Sequence, residues 1–281
     1  MPSSPVARAR QDSPLPQIIS KTSPLIIGHR GASAVAPENT QAAFALAMGA
    51  GAAGVEFDVR LARDGVPVVI HDATLRRTGL CAGNVAMMTS AQLSQVEVGS
   101  WFNHCHPDLA LDEFSSQTIP TLAQVFDLFN QRQNPNDLVY VEMKTDRAED
   151  TYIDLAAAVV QLIKDQEMTS RVVVISFNLK AVAQIKLIDP AITTGALFEP
   201  RSNPVKLLRR HPLITAALEC GAEEILWHRL IAARPLVDLA AENNLRSVVW
   251  TVDDPKWLRQ RIGYGFHALM TNKPSEMLAS L

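Results

Sequence analysis

Short apolar runs alternate with longer amphipathic stretches along most of the chain. Eight runs rich in Val, Ile and Leu have the length and composition of β-strands. These predicted strands cover Leu25–Gly28, Gly54–Val59, Leu138–Met143, Arg171–Phe177, Ile192–Phe198, Glu223–Trp227, Arg246–Thr251 and His267–Thr271. Helical periodicity fills most of the intervals, at Asn39–Ala50, Thr121–Asn130, Asp150–Gln166, Leu179–Ile188, Pro204–Cys220, Ala233–Asn243 and Pro255–Gly263. Such alternation predicts an α/β fold, with a mainly parallel sheet and helices outside it.

The number of strand–helix units favours a closed sheet. Eight units within about 250 residues are the size of a (β/α)8 TIM barrel. A doubly wound open sheet shows the same alternation and is the alternative. A chain of 281 residues is long enough to build one such core.

One extra apolar run interrupts the alternation. Val66–Ile70 follows the second predicted strand too closely for a parallel crossover, which needs a dozen or more residues. It must therefore return antiparallel, with a tight turn at Asp64 and Gly65. In that register, residue 60 pairs with 68 and residue 58 with 70, which brings His71 back beside Asp58.

Two segments differ from the rest of the chain. Residues 1–23 are rich in Pro and Ser, and we expect a disordered tail there. Residues 79–117 are polar and irregular, and we expect a small insertion after the hairpin of the second strand that caps the barrel mouth. The predicted barrel domain spans residues 24–281.

Composition excludes several classes of protein. The chain is 47% hydrophobic and 20% charged, which is typical of a folded domain. Its three cysteines have no CxxC spacing, which argues against a disulfide scaffold or a zinc ribbon. A net charge of −3 without basic runs predicts no nucleic-acid partner. With neither a long apolar run nor a secretory leader, we expect a cytoplasmic protein without stable membrane insertion. The oligomeric state stays open.

Ionisable side chains cluster where several predicted strands end. In a (β/α) barrel the active site lies at the carboxyl ends of the strands. Residues two apart on a strand face the same side, so Glu56 projects with Asp58, and Glu142 with Lys144. The candidate set at this end of the barrel is His29, Arg30, Glu56, Asp58, His71, Glu142 and Lys144.

These residue types indicate metal-assisted phosphate chemistry. Three converging carboxylates are typical of a site for one divalent cation, either Mg²⁺ or Ca²⁺. His29 and His71 are candidate acid–base groups, because histidine titrates near neutral pH. Arg30 and Lys144 supply positive charge that can bind a phosphate. Two structural roles remain open as alternatives to catalysis. Glu142 and Lys144 could form an ion pair at a strand end, and His71 could cap a strand.

The remaining histidines offer weaker candidates. His104 and His106 flank Cys105, which could suggest a soft-metal site, but without a fourth ligand a solvated surface is favoured. His228 follows a predicted strand and could face the mouth. His211 and His267 are expected to be structural or exposed.

The motifs as a set resemble those of the glycerophosphodiester phosphodiesterase family, over residues 25–274. The matching segments are HRGASAVAPENT, GVEFDVRLARDGVPVVIHDATLRRTG, GSWF, IPTL, VEMK and VVWTVDDP. The resemblance implies a barrel enzyme that hydrolyses glycerophosphodiesters to sn-glycerol 3-phosphate and an alcohol. It also implies that the nucleophile is the substrate's own 2-hydroxyl, giving a cyclic phosphate that water then opens.

The resemblance also implies roles for individual residues. His29 and His71 match the family's acid–base pair, and Arg30 and Lys144 its phosphate-binding residues. Trp250 matches an apolar wall against the glycerol, and Glu38, in the PEN element, a structural or substrate-contact position. The matching metal ligands are Glu56, Asp58 and Glu142.

The sequence departs from the family pattern at a few positions and leaves other functions open. Asn272 stands where the family often has Asp, and Ala62 or Arg63 where it has Thr. These departures leave substrate preference open. A lysophospholipase D-like lipid phosphodiesterase is a second candidate. A catalytically inactive binding barrel is a third, and it is disfavoured because the acid–base and metal groups are all present.

Overall fold

The computed structural model describes residues 23–145, 151–200 and 211–281. Eight parallel strands form a closed barrel, because β1 pairs with both β2 and the last strand. A ninth, β3, pairs antiparallel with β2. The strands are β1 (Leu25–His29), β2 (Gly54–Leu61), β3 (Pro67–Val69), β4 (Leu138–Met143), β5 (Val172–Ser176), β6 (Thr193–Phe198), β7 (Glu224–His228), β8 (Arg246–Trp250) and β9 (Ala268–Thr271). The (β/α)8 barrel is confirmed, and the open doubly wound sheet is excluded.

Helices cover the outside of the barrel, apart from two short ones within residues 79–117. They are α1 (Gln41–Gly49), α2 (Ser90–Leu93), α3 (Ser100–Cys105), α4 (Leu122–Gln131), α5 (Thr151–Asp165), α6 (Leu179–Ile188), α7 (His211–Glu219), α8 (Arg234–Glu242), α9 (Pro255–Arg261) and α10 (Pro274–Leu278). Local chemistry sets their starts: the Thr40 hydroxyl accepts from the Ala43 amide, and Thr121 forms a capping box with Gln124. None of the helices described is long and apolar enough to cross a bilayer.

Three expectations fall partly outside the described residues. The predicted helix Asp150–Gln166 is described from residue 151, where α5 begins. The predicted helix Pro204–Cys220 is described only from residue 211, where α7 begins. The predicted tail lies outside the described residues up to position 22.

The core has an inner and an outer layer, because strand side chains alternate between the two faces of the sheet. Ile27, Tyr140 and Leu226 fill the barrel interior. Phe57 and Val141 face outward and pack beneath the helices. The strands are thus buried on both sides, which is why they read as continuous apolar runs.

The antiparallel hairpin forms in the predicted register. Arg60 pairs with Val68, and the Ile70 amide donates to the Asp58 carbonyl at 2.9 Å. Gly65 makes the turn with a φ of +77°, a conformation that glycine adopts without strain. The hairpin therefore places His71 near the carboxyl end of β2.

The segment 79–117 is more regular than its composition suggests. It carries α2, α3 and short 3₁₀ helices at Val85–Met87, Pro107–Leu109 and Asp112–Ser116. Phe102 and Phe114 are buried and pack edge-to-face with centroids 5.7 Å apart. They lie against Ala36 and Ala43, so the insertion is anchored beside the loop that follows β1.

Candidate active site

The strand register brings the predicted site residues together at one end of the barrel. His29 lies opposite Glu56 in the pairing of β1 with β2. Asp58 lies opposite Glu142 in the pairing of β2 with β4. His71 lies two residues after the end of β3, and the Lys144 amide donates to the Val59 carbonyl at 3.0 Å. Groups far apart in sequence therefore meet at the carboxyl ends of neighbouring strands.

Three buried carboxylates form the floor of the mouth. Glu56, Asp58 and Glu142 each place an oxygen within 4.8 Å of the others. Oε1 of Glu56 is buried and has no hydrogen-bond partner. All three donors are hard oxygens, the ligands that Mg²⁺ and Ca²⁺ prefer. The donor set and the unpartnered oxygen fit one divalent cation.

Crowding of like charges perturbs these carboxyl groups. Burial, reinforced by Asp58 and Glu142, raises the pKa of Glu56 well above its usual value. Burial also raises the pKa of Glu142 to about 7, against the opposing charge of Lys144. Burial acts the same way on Asp58, but Arg30 and Lys144 outweigh it and lower its pKa. A bound dication would favour the charged form of all three groups.

Two cations balance part of this negative charge. Nε of Arg30 lies 3.1 Å from Asp58 Oδ2, and its Nη1 donates to Glu38 Oε1 at 2.9 Å. The ammonium of Lys144 lies 2.9 Å from Asp58 Oδ1 and 2.5 Å from Glu142 Oε1. The proposed ion pair of Glu142 with Lys144 is therefore present. It belongs to the carboxylate cluster rather than forming a separate structural feature.

Hydrogen bonds orient His29. Its Nδ1 lies 2.7 Å from Oδ1 of Asn272. The Asn272 amide nitrogen donates to Asp253 Oδ2 at 2.7 Å, so its oxygen is the atom that faces His29. Nδ1 of His29 therefore carries the proton, and Nε2 faces the carboxylates, 3.8 Å from Glu56 Oε2. Burial, with the charge of Arg30, lowers the pKa of His29 to about 4.

His71 has a charged partner instead. Its Nδ1 lies 2.6 Å from Oδ1 of Asp72, and Asp72 Oδ2 accepts from Nε of Arg77 at 2.7 Å. Arg77 also donates to both oxygens of Glu38, at 2.7 and 2.8 Å. Burial raises the pKa of Asp72, but the hydrogen bonds from Arg77 and His71 lower it to about 2. A carboxylate thus holds the ring of His71, whereas a neutral amide holds that of His29.

Aromatic rings form a wall on another side of the mouth. Trp250, at the end of β8, packs edge-to-face against Phe177 at 5.5 Å and against His228 at 5.1 Å. Lys144 Nζ lies 5.9 Å from the Phe177 ring centroid. His228 therefore faces the mouth, as a neighbour of Trp250.

The other histidines lie apart from this cluster. His104, Cys105 and His106 are exposed, and His106 packs on Phe102 with ring centroids 4.6 Å apart. His267 lies near Glu224, at the opposite end of the barrel. The side chain of His211 is not among those described. In the described part of the chain, the mouth carboxylates are the one cluster with metal-ligand geometry.

Sequence reasoning missed several residues that hold the site. Asn39 donates to Asp58 Oδ2 at 2.8 Å and accepts from the Asp58 amide at 3.2 Å. Arg77 links Glu38 to Asp72, and Asp253 holds Asn272. A signal for Asn39 was present, since it follows Glu38 in the PEN element and has a φ of 60°, which Asn tolerates well.

Comparisons with known proteins agree with the fold and identify the family. The Glycerophosphoryl diester phosphodiesterase family profile matches residues 29–276. A glycerophosphodiester phosphodiesterase of Caldanaerobacter subterraneus is 29% identical, covering 90% of this chain and 96% of its own.

Solved structures are similar over nearly the full chain. A Silicibacter pomeroyi structure assigned to this enzyme class has a TM-score of 0.82 at 28% identity, covering 92% of this chain and 93% of its own. A phosphodiesterase of Oleispira antarctica, in complex with the product sn-glycerol-3-phosphate, has a TM-score of 0.76 at 25% identity, covering 92% and 96%. Fold and site together define a barrel phosphodiesterase. The chain belongs to the glycerophosphoryl diester phosphodiesterase family.

Proposed function

We propose that the protein hydrolyses glycerophosphodiesters to sn-glycerol 3-phosphate and an alcohol. The observation that carries this proposal is the convergence of Glu56, Asp58 and Glu142 beside His29 and His71. Family membership and the product bound to the Oleispira relative support the same substrate class.

The three carboxylates would hold one divalent cation, Mg²⁺ or Ca²⁺, which supplies Lewis-acid stabilisation of phosphoryl oxygens. Arg30 and Lys144 lie against the same carboxylates and would bind the remaining phosphate charge. Glu38 orients Arg30 through their hydrogen bond. The chain's own contribution is to hold the phosphate between fixed charges in a buried site.

The two histidines have different partners, and this difference supports a proposal for their first roles. His29 presents an unprotonated Nε2 to the site, because Asn272 accepts the Nδ1 proton. It therefore acts first as the base. Burial lowers the pKa of His71, whereas the charge of Asp58 and the hydrogen bond to Asp72 act in the opposite direction. Asp72 thus favours the protonated ring, and in this proposal His71 acts first as the acid and donates to the departing alcohol oxygen. The roles reverse in the second step.

The substrate's 2-hydroxyl is the nucleophile in this scheme. It is tethered to the phosphate-bearing carbon chain, so its effective concentration reaches about 10⁵ M or more when well oriented. Its oxygen bonds to phosphorus as the bond to the alcohol breaks, giving a cyclic phosphate that water opens. Trp250 and Phe177 provide an apolar wall for the glycerol carbons.

A product assay tests the activity. The purified protein should release sn-glycerol 3-phosphate from a panel of glycerophosphodiesters with Mg²⁺ or Ca²⁺, and excess chelator should stop the release. Absence of release from every diester under all metal conditions would overturn the proposal. A 2-deoxy analogue should bind but resist cleavage. Cleavage of this analogue at the normal rate would show direct attack by water and leave the substrate class intact.

A second candidate, a lysophospholipase D-like activity, is favoured by one observation. The insertion exposes four apolar side chains to solvent, at Leu80, Met87, Leu109 and Leu111. Such side chains could contact a lipid surface. Comparing lysophosphatidylcholine with glycerophosphocholine at equal concentration separates the two candidates. The first proposal expects the water-soluble diester to have the higher kcat/KM.

A further inference from the structure

Three neighbouring strand ends are joined by one chain of side-chain hydrogen bonds. It begins at Asp253, in the loop after β8, passes through Asn272, directly after β9, and ends at His29, the last residue of β1. Nδ2 of Asn272 donates to Oδ2 of Asp253 at 2.7 Å, and Oδ1 of Asn272 lies 2.7 Å from Nδ1 of His29. Because β9 separates β8 from β1 in the barrel, the link from Asp253 to His29 runs through Asn272.

The other carboxylate oxygen of Asp253 also accepts hydrogen bonds. Oδ1 accepts from the Asn272 backbone amide at 2.7 Å and from Oγ1 of Thr271 at 2.8 Å. An ionised carboxylate accepts hydrogen bonds and donates none. Each of these contacts of Asp253 therefore needs a donor on the other side. For this reason the nitrogen of the Asn272 side chain, rather than its oxygen, lies toward Asp253.

Ser33 also contacts the Asn272 side chain but does not fix the orientation of its amide. Oγ of Ser33 lies 2.8 Å from Oδ1 of Asn272 and 2.8 Å from the carbonyl oxygen of His29. A hydroxyl group has one proton to donate and can also accept. With the Asn272 amide reversed, Ser33 could donate to the His29 carbonyl and accept from the amide nitrogen. Asp253 is therefore the contact that distinguishes the two orientations.

We propose that Asp253 is a positioning residue that keeps the ring proton of His29 on Nδ1 and leaves Nε2 free to act as the base. This rests on the proposed function, in which Nε2 removes the proton of the substrate's 2-hydroxyl. A reversed Asn272 amide would present its NH₂ group to Nδ1 of His29. Nδ1 would then have to accept a hydrogen bond, the ring proton would move to Nε2, and Nε2 could no longer take a proton from the substrate.

An amide at position 253 tests this role with almost no change in shape. In Asp253→Asn, the new oxygen can keep the hydrogen bonds from Thr271 and from the Asn272 backbone. The new NH₂ group then faces the NH₂ group of the Asn272 side chain. Reversal of the Asn272 amide relieves this opposition and moves the proton of His29. We expect kcat to fall about 10²-fold or more and KM to stay within about threefold, because the phosphate-binding cations are unchanged.

Asp254→Asn is the matched control. It makes the same substitution at the next position, where Oδ1 of Asp254 accepts from the Lys256 amide at 2.8 Å at the start of α9. Asparagine caps a helix about as well as aspartate, so this variant should keep the wild-type kcat and melting temperature. A loss of turnover equal to that of Asp253→Asn would assign the effect to lost charge in the loop and overturn the proposal.

A second substitution should restore the lost turnover. In Asp253→Asn combined with Asn272→Asp, the new amide nitrogen can donate to one oxygen of the new carboxylate, and the other oxygen accepts from Nδ1 of His29. Asn272→Asp alone brings two carboxylates together where Nδ2 and Oδ2 are now 2.7 Å apart, so its kcat should also fall. The double variant should recover to within about tenfold of the wild type. A folded double variant no more active than the better single variant would contradict the proposed role of Asp253.

The position of the ring proton can be observed without turnover. In protein carrying ¹⁵N-labelled histidine, with saturating Mg²⁺, nuclear magnetic resonance of the ring nitrogens shows which one is protonated, and comparison with His29→Ala assigns the signals. His29 should carry its proton on Nδ1 in the wild type and in the double variant, and on Nε2 in Asp253→Asn. A proton that stays on Nδ1 in Asp253→Asn would overturn the proposal. Failure of the wild type to cleave any diester would overturn the proposed function, and the spectra would still test whether Asp253 fixes the proton of His29.

Discussion

Carboxylates are buried at both ends of the barrel interior, but their surroundings differ. At the mouth, three carboxylates converge beside two basic side chains, those of Arg30 and Lys144. At the opposite end, Glu224 lies alone, 2.9 Å from Nη2 of Arg246, with His267 3.8 Å away. Tyr140 fills the barrel interior beside Glu224. Burial and the charge of Glu224 raise the pKa of the Tyr140 phenol well above its usual value.

The difference shows what distinguishes a candidate metal site from a structural ion pair. Burial alone does not, since Glu56 and Glu224 are both almost fully buried. A carboxylate oxygen without a hydrogen bond does not distinguish the two sites either, because the oxygens of Glu224 also lack a well-aligned donor. The distinguishing feature is the number of converging acids: one acid can be balanced by one arginine, whereas three within 4.8 Å leave excess charge that a dication would neutralise.

Neutralising carboxylates should lower activity strongly at the mouth and hardly at all at the opposite end. Glu56→Gln, Asp58→Asn and Glu142→Gln should each lower kcat/KM at least about 10³-fold, because each removes an anionic ligand from a hard cation. Glu224→Gln should stay within about twofold of the wild type. Steady-state release of sn-glycerol 3-phosphate measures both effects.

Metal binding can be followed without activity. Adding Mg²⁺ or Ca²⁺ should raise the melting temperature of the wild type and of Glu224→Gln, because a ligand of the folded state stabilises it. The three mouth variants should lose that response. An undiminished metal response in all three would remove the cation from this end of the barrel.

The histidines at the two ends of the barrel can be compared in the same way, with smaller expected effects on turnover. His29→Ala and His71→Ala should each lower turnover by about 10²–10⁴-fold, and the double variant should lose much less than the product of the two effects. His267→Ala, at the other end, should keep near-native turnover. A single variant at position 29 or 71 with near-native turnover would remove that residue from the mechanism.

Protonation at the far end should affect stability rather than catalysis. Burial raises the pKa of Glu224 to about 7, with Arg246 opposing the shift. Between pH 4.5 and 7 the folded protein keeps a proton that the unfolded chain has lost. The contribution of Glu224 to the free energy of unfolding should therefore decrease as pH rises through this interval, by at most about 1.4 kcal/mol per unit, and level off above it.

Glu224→Gln isolates that contribution. Denaturant unfolding of the variant and the wild type, both with saturating Mg²⁺, should show the wild type losing stability relative to the variant from pH 4.5 to 7. Parallel pH profiles for the two proteins would contradict the raised pKa.

The sequence predicted the barrel well because its strands are buried on both faces and therefore form continuous apolar runs. Strand β4 and helix α6 match their predicted limits, and the hairpin register follows from the short connection at Gly65. The shared location of Glu56, Asp58 and Glu142 followed from side-chain alternation together with their positions near the carboxyl ends of barrel strands.

Other features could not be predicted from local patterns. Arg77 reaches Glu38 across 39 positions, and Asn272 reaches His29 across 243. Nothing local in the sequence identifies such partners, since each contact depends on the three-dimensional arrangement of loops. The regularity of the insertion was also missed, because its short helices are stabilised by packing of Phe102 and Phe114 rather than by periodicity.

The contact of His29 with Asn272 joins the first barrel strand to the last. The Ala34 amide also donates to the Asn272 carbonyl at 3.0 Å, so the loop after β1 depends on residues just beyond β9. Such contacts form only after a loop of more than two hundred residues has closed, which makes them costly in entropy and late in folding. During synthesis, a chain that ends before β9 contains the carboxylates of β2 and β4 but lacks Asn272, the residue that orients His29. Catalytic competence is thus gained only when the ring of strands closes.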